Sequence, residues 1–284
     1  MKNYGVPYQG SKNRIAKDIV SFLPNAPILY DVFSGGCAVS HCAIETGKYE
    51  KIVINDINQL PTQLFVDSIN GKFKNETEFI SRERFFNEKE QNGYIKYIWS
   101  FGNDGKTYIY GREKEELKRA FHNAVIDMDF SGMEAFGFDV GFIADIPNQS
   151  ERRKAVGRYL KQRGITPQLE SLQRLERLQG LEGSLPLNNV EILNKSYNEI
   201  EYEKDSVIYC DIPYKGTADY SIEFDYSAFY EWALDMGSSG YNIFISEYNM
   251  PNGFECVWEK QKRCGFCSTR NDLQTIERIF IPKN

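Results

Sequence analysis

Asp211, Pro213 and Tyr214 stand close together in "VIYCDIPYKGTADY", Val207 to Tyr220. Four mostly apolar residues deliver a carboxylate to the end of a strand, and a proline and an aromatic ring follow at once. Pro213 fixes its own φ and biases Ile212 towards extended backbone, which holds the Ile212 carbonyl in one direction. A rigid carboxylate, a fixed carbonyl and an aromatic face together suit a planar ring that bears an exocyclic amine. Such an amine is a poor nucleophile because its lone pair is delocalised into the ring. Two acceptors on its N–H groups favour pyramidalisation, and the partial positive charge that follows is stabilised by acceptors already in place. Tyr214 would stack on the ring, a contact of about 1–3 kcal/mol for a base on an aromatic. The same four residues equally describe a strand-terminal turn with a helix-capping aspartate.

A second set of candidates lies near the N-terminus. "ILYDVF" (28–33) places Asp31 inside a strand, and "SGGCAVSHCAIETG" (34–47) continues as a glycine turn and a small-residue helix. At Gly35 and Gly36 the missing Cβ atoms let a ligand approach the backbone. "KIVIND" (51–56) ends a second strand on Asp56, where an acid can hydrogen-bond ribose hydroxyls. In open α/β sheets ligands bind beyond the carboxyl ends of the strands, so this combination suits an adenosine-containing cofactor. The G-x-G-x-x-G and Walker lysine patterns are both missing. A plain turn from strand to helix uses the same glycines.

The elements that must hold these residues alternate. "YQGSKNRIAKDIVSFLP" (8–24) predicts a turn entering an amphipathic helix, and a helix is expected over 59–70. From about Thr77 to Gly164 the chain turns charged and aromatic, with a hairpin expected around "NDG" and a helix after it. Strands return at 188–193, 206–211 and 241–248, with a helix near 227–236 between the last two. Two further strands, 253–260 and 275–282, are expected to form a C-terminal hairpin. Alternation on both sides of the middle block predicts one α/β sheet interrupted by an insertion.

Composition narrows the function classes. The chain has 284 residues, no apolar run of the roughly 18 residues needed to span a bilayer and no hydrophobic segment after "MKNYGVPYQGSKNR", so a cytoplasmic protein is expected. With two histidines, His41 and His122, a histidine-rich metal centre is excluded. Cys264 and Cys267 form the one CxxC pair, without a second pair to complete a zinc site, and free thiols are expected. The net charge of −6 argues against an anionic partner only on average, because steering depends on where the charges sit. "ERRKAVGRYLKQRG" (151–164) is strongly basic, and Lys154, Arg158 and Lys161 share one helical face. A solvated helix face has the same pattern.

Taken together the motifs resemble the Dam-like, alpha-group DNA adenine N6-methyltransferases over almost the full length. "YQGSK" (8–12) is similar to their N-terminal cofactor motif, "DVFSGGCAVS" (31–40) to their D/E-x-F-x-G-x-G loop, "INDIN" (54–58) to their ribose-binding acid, and "DIPYKGT" (211–217) to their D-P-P-Y motif. The resemblance implies a Rossmann-like methyltransferase sheet, mostly parallel with a C-terminal antiparallel hairpin, carrying an inserted, mainly helical target-recognition domain with a β-hairpin. It implies a catalytic domain over 1–76 and 165–284 and the insertion over 77–164. It also implies S-adenosylmethionine as methyl donor, S-adenosylhomocysteine as product and no metal. Tyr8, Lys12, Asp31, Phe33, Ser34, Gly35, Gly36, Cys37, Asp56, Ile57, Tyr197 and Asp211 are the expected cofactor residues. Asp211, Ile212, Pro213 and Tyr214 are the expected catalytic ones.

Three positions depart from the family pattern. Ile212 replaces the first proline of D-P-P-Y, Cys37 stands at the second glycine, and Ser196 takes the acidic position before Tyr197. The expected partner is double-stranded DNA in a bacterial or phage-infected cell. Lys106, Tyr108, Arg112, Arg152, Arg153, Lys154, Arg158 and Lys161 are its expected contacts. A monomer is expected, with a dimer as the alternative and no membrane partner. The competing readings are an N-methyltransferase of RNA or protein and an inactive DNA-binding protein on the same scaffold.

Overall fold

The computed structural model describes residues 2–165, 169–215, 224–263 and 274–283. In chain order the elements are α1 (Ala16–Phe22), β1 (Ile28–Asp31), α2 (Ala38–Thr46), β2 (Lys51–Asn55), α3 (Gln59–Ile69), α4 (Arg82–Glu88), α5 (Gly93–Ile98), α6 (Arg112–Ile126), α7 (Ser131–Ala135), α8 (Gln149–Gln162), α9 (Glu170–Gln179), β3 (Val190–Leu193), β4 (Ser206–Asp211), α10 (Tyr226–Ser238), β5 (Asn242–Glu247), β6 (Phe254–Arg263) and β7 (Gln274–Pro282). They group into two compact units. One comprises Met1–Gly5, Ser11–Thr62 and Pro186–Asn284, and the other Val6–Gly10 and Gln63–Leu185.

The first unit is built on a seven-stranded sheet of order β3-β2-β1-β4-β5-β7-β6. β1 pairs in parallel with both β2 and β4, so the strand order reverses at β1/β4, and such switch points open a crevice at the carboxyl ends. β1 and the apolar part of β4 are buried at every residue, which is why both read as unbroken apolar runs rather than alternating ones. β7 lies antiparallel between β5 and β6, the expected C-terminal pair. One core cluster lies under this crevice, from Tyr30 and Val32 through Cys210 and Ile212 to Phe229, Ala233, Ile243 and Ile245. α10 starts where Asp225 caps it by accepting from the Ala228 N–H at 3.0 Å.

The second unit is helical and wider than the expected insertion. It takes in the end of α3 and the whole of α9, because Leu172, Leu175 and Leu178 form the buried face of α9 and the Gly183 N–H closes onto the Ile69 carbonyl at 2.9 Å. The expected hairpin around "NDG" is reduced to one antiparallel bridge, Ser100 to Tyr108. Local side chains take the donors that a ladder would need. Asp104 Oδ1 accepts from the Lys106 and Thr107 N–H groups at 2.8 and 3.1 Å, and Ser100 Oγ accepts from the Gly105 N–H at 2.9 Å. The initial turn leads into α1 at Ala16, and that helix ends before Pro24.

Candidate active site

The glycine turn after β1 is fixed from several sides. Asp31 is buried, and its Oδ2 accepts from the N–H and hydroxyl of Ser40 at 3.1 and 2.5 Å. Burial pushes its carboxyl up to about 7, against the lowering effect of those bonds and with the charge of Asp211 adding to the rise. Ser34 donates through both N–H and Oγ to the Asn55 carbonyl at 2.9 Å. Cys37 begins α2 at φ 58°, ψ 34°, a left-handed conformation that suits glycine. The cysteine that stands in place of a glycine thus adopts a conformation that glycine favours, and its thiol is buried rather than presented. Gly5 packs against this loop so closely that a Cβ there would lie 2.1 Å from the Gly36 carbonyl oxygen.

Asp56 follows β2 directly. Its Oδ2 accepts from the Gly35 N–H and its Oδ1 from the Asn58 N–H, both at 2.8 Å. Burial raises its carboxyl to about 6, while the two N–H groups pull it down. Ile57 beside it is 54% exposed, although its carbonyl and that of Asp56 are held by Asn194 Nδ2 at 2.9 and 2.7 Å. Asn55 links three segments by donating to the Val32 and Lys195 carbonyls and accepting from the Lys195 N–H. Phe33 lies 5.9 Å from Tyr197 and 5.7 Å from Phe224 between ring centres, so these aromatics form one wall. Ser196 uses its hydroxyl and N–H in a capping box with Glu199, which explains why an acid is not needed there for local structure.

At the end of β4, Asp211 Oδ1 lies 2.5 Å from Lys12 Nζ, and that ammonium sits 4.5 Å from the centre of the Tyr214 ring. Tyr214 is held by its hydroxyl, which donates to Glu277 Oε2 at 2.8 Å, and by Tyr248, edge-on with centroids 4.5 Å apart. Ile212 faces the core at 2% exposure. Glu247, at the end of β5, accepts from the Lys215 N–H at 3.3 Å, and burial raises its carboxyl to about 7. Gly216 and Thr217 of the motif lie outside the described residues, as do Cys264 and Cys267.

The first unit therefore contains Lys12, Asp31, Phe33, Ser34, Gly35, Gly36, Cys37, Asp56, Ile57, Tyr197 and Asp211 to Tyr214. Tyr8 belongs to the second unit, where its ring meets Tyr97 edge-on at 5.1 Å. Asn55, Phe224, Glu247, Tyr248 and Glu277 are site residues that the sequence motifs do not single out. Glu247 carries the same signal as Asp56 and Asp211, an acid closing an apolar strand.

Among the expected DNA contacts, two are turned inward. Tyr108 is buried, with its hydroxyl donating to the Ile80 carbonyl at 2.7 Å and Arg82 over its ring, so it is a core residue of the second unit. Arg153 makes a two-pronged pair with Glu176, both bonds 2.9 Å, which ties α8 to α9. Arg152 is half-buried, its Nη1 2.8 Å from Met128 Sδ. Lys106, Arg112, Lys154, Arg158 and Lys161 are exposed. Among the described residues, no group of three or more His, Cys, Asp or Glu could hold a metal ion, and no helix is long and apolar enough to cross a membrane.

The sheet order, the glycine turn after β1 and the acid after β2 define a Rossmann-like methyltransferase sheet. The family model of the D12 class N6 adenine-specific DNA methyltransferases matches residues 8–237, and the chain belongs to that family. It is therefore an adenine-specific DNA methyltransferase that modifies N6, and use of S-adenosylmethionine follows from the family. Among solved structures the chain is similar to the rRNA methyltransferase aviRa from Streptomyces viridochromogenes, at 13% identity and a TM-score of 0.39, covering 97% of this chain and 86% of that one. Among curated protein sequences none matches significantly.

Proposed function

We propose that the edge formed by Asp211, Ile212, Pro213 and Tyr214 receives an adenine turned out of double-stranded DNA and positions its N6 for methylation. An adenine inside the duplex does not offer N6 to an in-line approach, so the base must leave the stack. Asp211 and the Ile212 carbonyl accept the N6 hydrogens, and Tyr214 stacks on the ring. One observation carries the reading: a nitrogen-centred cation, Lys12 Nζ, already sits 2.5 Å from Asp211 and 4.5 Å from the Tyr214 ring centre. The attacking N6 becomes such a cation, so the same carboxylate and ring face would stabilise it.

The cofactor site fits the chemistry of S-adenosylmethionine. Asp31, a buried carboxylate raised to about 7, is relieved by a nearby cation, and this cofactor carries an ammonium and a sulfonium. Asp56 is oriented by two N–H groups for ribose hydroxyls, and exposed Ile57 with Tyr197 and Phe33 supplies apolar surface for adenine. Ser34, Gly35, Gly36 and Cys37 line the turn. When bound, the cofactor supplies the methyl group, with no metal required and S-adenosylhomocysteine left as product. Tyr8 and Lys12 belong to the cofactor motif by resemblance alone, and Lys12 has the better case beside Asp211.

The second unit is the target-recognition domain on this reading, with exposed Lys154, Arg158 and Lys161 contacting phosphates and Lys106 and Arg112 as further contacts. The protein works as a monomer on DNA in a bacterial or phage-infected cytoplasm. Transfer of a labelled methyl group to DNA, RNA and protein tests the substrate. Transfer to duplex DNA alone, lost in Asp211→Ala while cofactor binding persists, is the expected result. Transfer to RNA or protein in preference to DNA, or no transfer at all, overturns it.

A further inference from the structure

Tyr214 differs from other buried and half-buried tyrosines of this protein in what its hydroxyl meets. The hydroxyls of Tyr49, Tyr108 and Tyr202 donate to backbone carbonyls, and those of Tyr110 and Tyr209 pair with serine hydroxyls. The hydroxyl of Tyr214 instead donates to a carboxylate, Glu277 Oε2, at 2.8 Å. Glu277 is 3% exposed and lies in β7 on the face it shares with buried Ile279. A buried carboxylate is a costly way to hold a ring that a neutral acceptor could hold. Burial and the neighbouring carboxylates push the Tyr214 phenol well above its usual range, so it keeps its proton and remains the donor.

A phenol that donates to a carboxylate gains electron density in its ring, which deepens the negative potential of the ring face. That face is where positive charge gathers on N6 during transfer, and a cation over an electron-rich ring is stabilised when desolvated. We propose that Glu277 is a positioning residue that acts through Tyr214, holding the ring in place and raising its electron density against the charge that develops on the base. Tyr248, edge-on to the same ring, limits how the ring can turn. The proposal rests on the reading that Tyr214 stacks on the target adenine.

The test is single-turnover methyl transfer from labelled S-adenosylmethionine to substrate DNA. Glu277→Gln keeps the side-chain volume and an acceptor oxygen but removes the charge. The expected result is a methyl-transfer step slowed about five- to tenfold, between the worth of an exposed and of a desolvated cation–π contact. Affinities for cofactor and DNA and the unfolding temperature should stay close to those of the unchanged protein. In a Tyr214→Phe background, where the hydroxyl is gone, Glu277→Gln should add no further loss. If Glu277→Gln does not fold, ring-fluorinated tyrosines at position 214 draw density from the ring and should slow transfer in step with fluorine number. A wild-type rate in Glu277→Gln, an equal loss in both backgrounds, or rates indifferent to fluorination overturns the proposal. Absence of transfer by the unchanged protein to any DNA instead overturns the reading of the site on which it rests.

Discussion

Lys12 Nζ and Asp211 Oδ1 stand 2.5 Å apart, from distant parts of the chain, and the lysine side chain is only 6% exposed. An ammonium this close favours the ionised form of the carboxylate. On the proposed mechanism an ionised Asp211 is what accepts the N6 hydrogens. Replacing Lys12 with methionine keeps the length and removes the charge. Losing that ammonium removes an interaction that favours the ionised carboxylate, so the acid limb of the methyl-transfer rate should move to higher pH. Single-turnover rates between about pH 5 and 9 check this, a range that spans the shift expected for a carboxylate deprived of its cation. An unmoved acid limb with weakened cofactor binding would return Lys12 to a cofactor role.

Ile212 tests whether its place in the motif depends on its side chain or its carbonyl. The side chain is 2% exposed in the core beneath the sheet edge. Ile212→Ala leaves the carbonyl and opens a cavity, with an expected destabilisation of about 2–5 kcal/mol. Urea unfolding measures it. Transfer per folded molecule should change by no more than a few-fold, because the chemistry uses the backbone oxygen. A collapse of transfer without loss of stability would show that the side chain itself matters.

How much of this was legible in the sequence depended on distance along the chain. The parallel strands, the glycine turn and the acids at strand ends are local signals, and Asp31, Asp56 and Asp211 lie where those signals place them. The pairs that complete the site join distant segments: Tyr214 with Glu277, Lys12 with Asp211, Asn55 with Lys195. Glu277 did leave a trace, a charge on the face of an alternating strand that also carries Ile279 and Ile281. In the second unit the basic run 151–163 was visible, but not which cation turns inward. Arg153 does so because Glu176, on the next helix, takes both of its forks. The hairpin is cut short for a local reason that pattern does not weigh, since Asp104 and Ser100 satisfy the loop beyond the Ser100–Tyr108 bridge themselves.

Asp31 makes stability depend on pH. Its carboxyl is raised from 3.8 to about 7 by burial, so between these values the folded protein holds a proton that the unfolded chain has released. This contribution to stability therefore declines as pH rises from about 4 to 7 and is flat above. Asp31→Asn removes the titration and keeps an oxygen for Ser40. Measured without cofactor, the variant should be more stable at about pH 8 by at most about 4 kcal/mol, the free energy that corresponds to that gap. The advantage should vanish near the unfolded carboxylate's own range, about pH 4, and cofactor affinity should fall at every pH. A variant no more stable than the parent in mild alkali would mean that Asp31 is relieved by a partner cation.

The exposed cations of α8 and the half-buried Arg153 separate recognition from structure. Lys154, Arg158 and Lys161 are solvent-facing, whereas Arg153 is half-buried on Glu176. If the exposed three bind phosphates, replacing them with alanine weakens DNA binding for every sequence alike. The dependence of log affinity on log salt should become shallower by about 0.9 for each phosphate that is no longer neutralised. Arg153→Ala should leave that slope unchanged and instead destabilise the protein by about 1–3 kcal/mol, because Glu176 is deprived of its two-pronged partner. Fluorescence anisotropy at several salt concentrations and thermal unfolding distinguish the two classes. A triple variant with an unchanged slope would make the run a solvated face and move the DNA contacts elsewhere on the second unit.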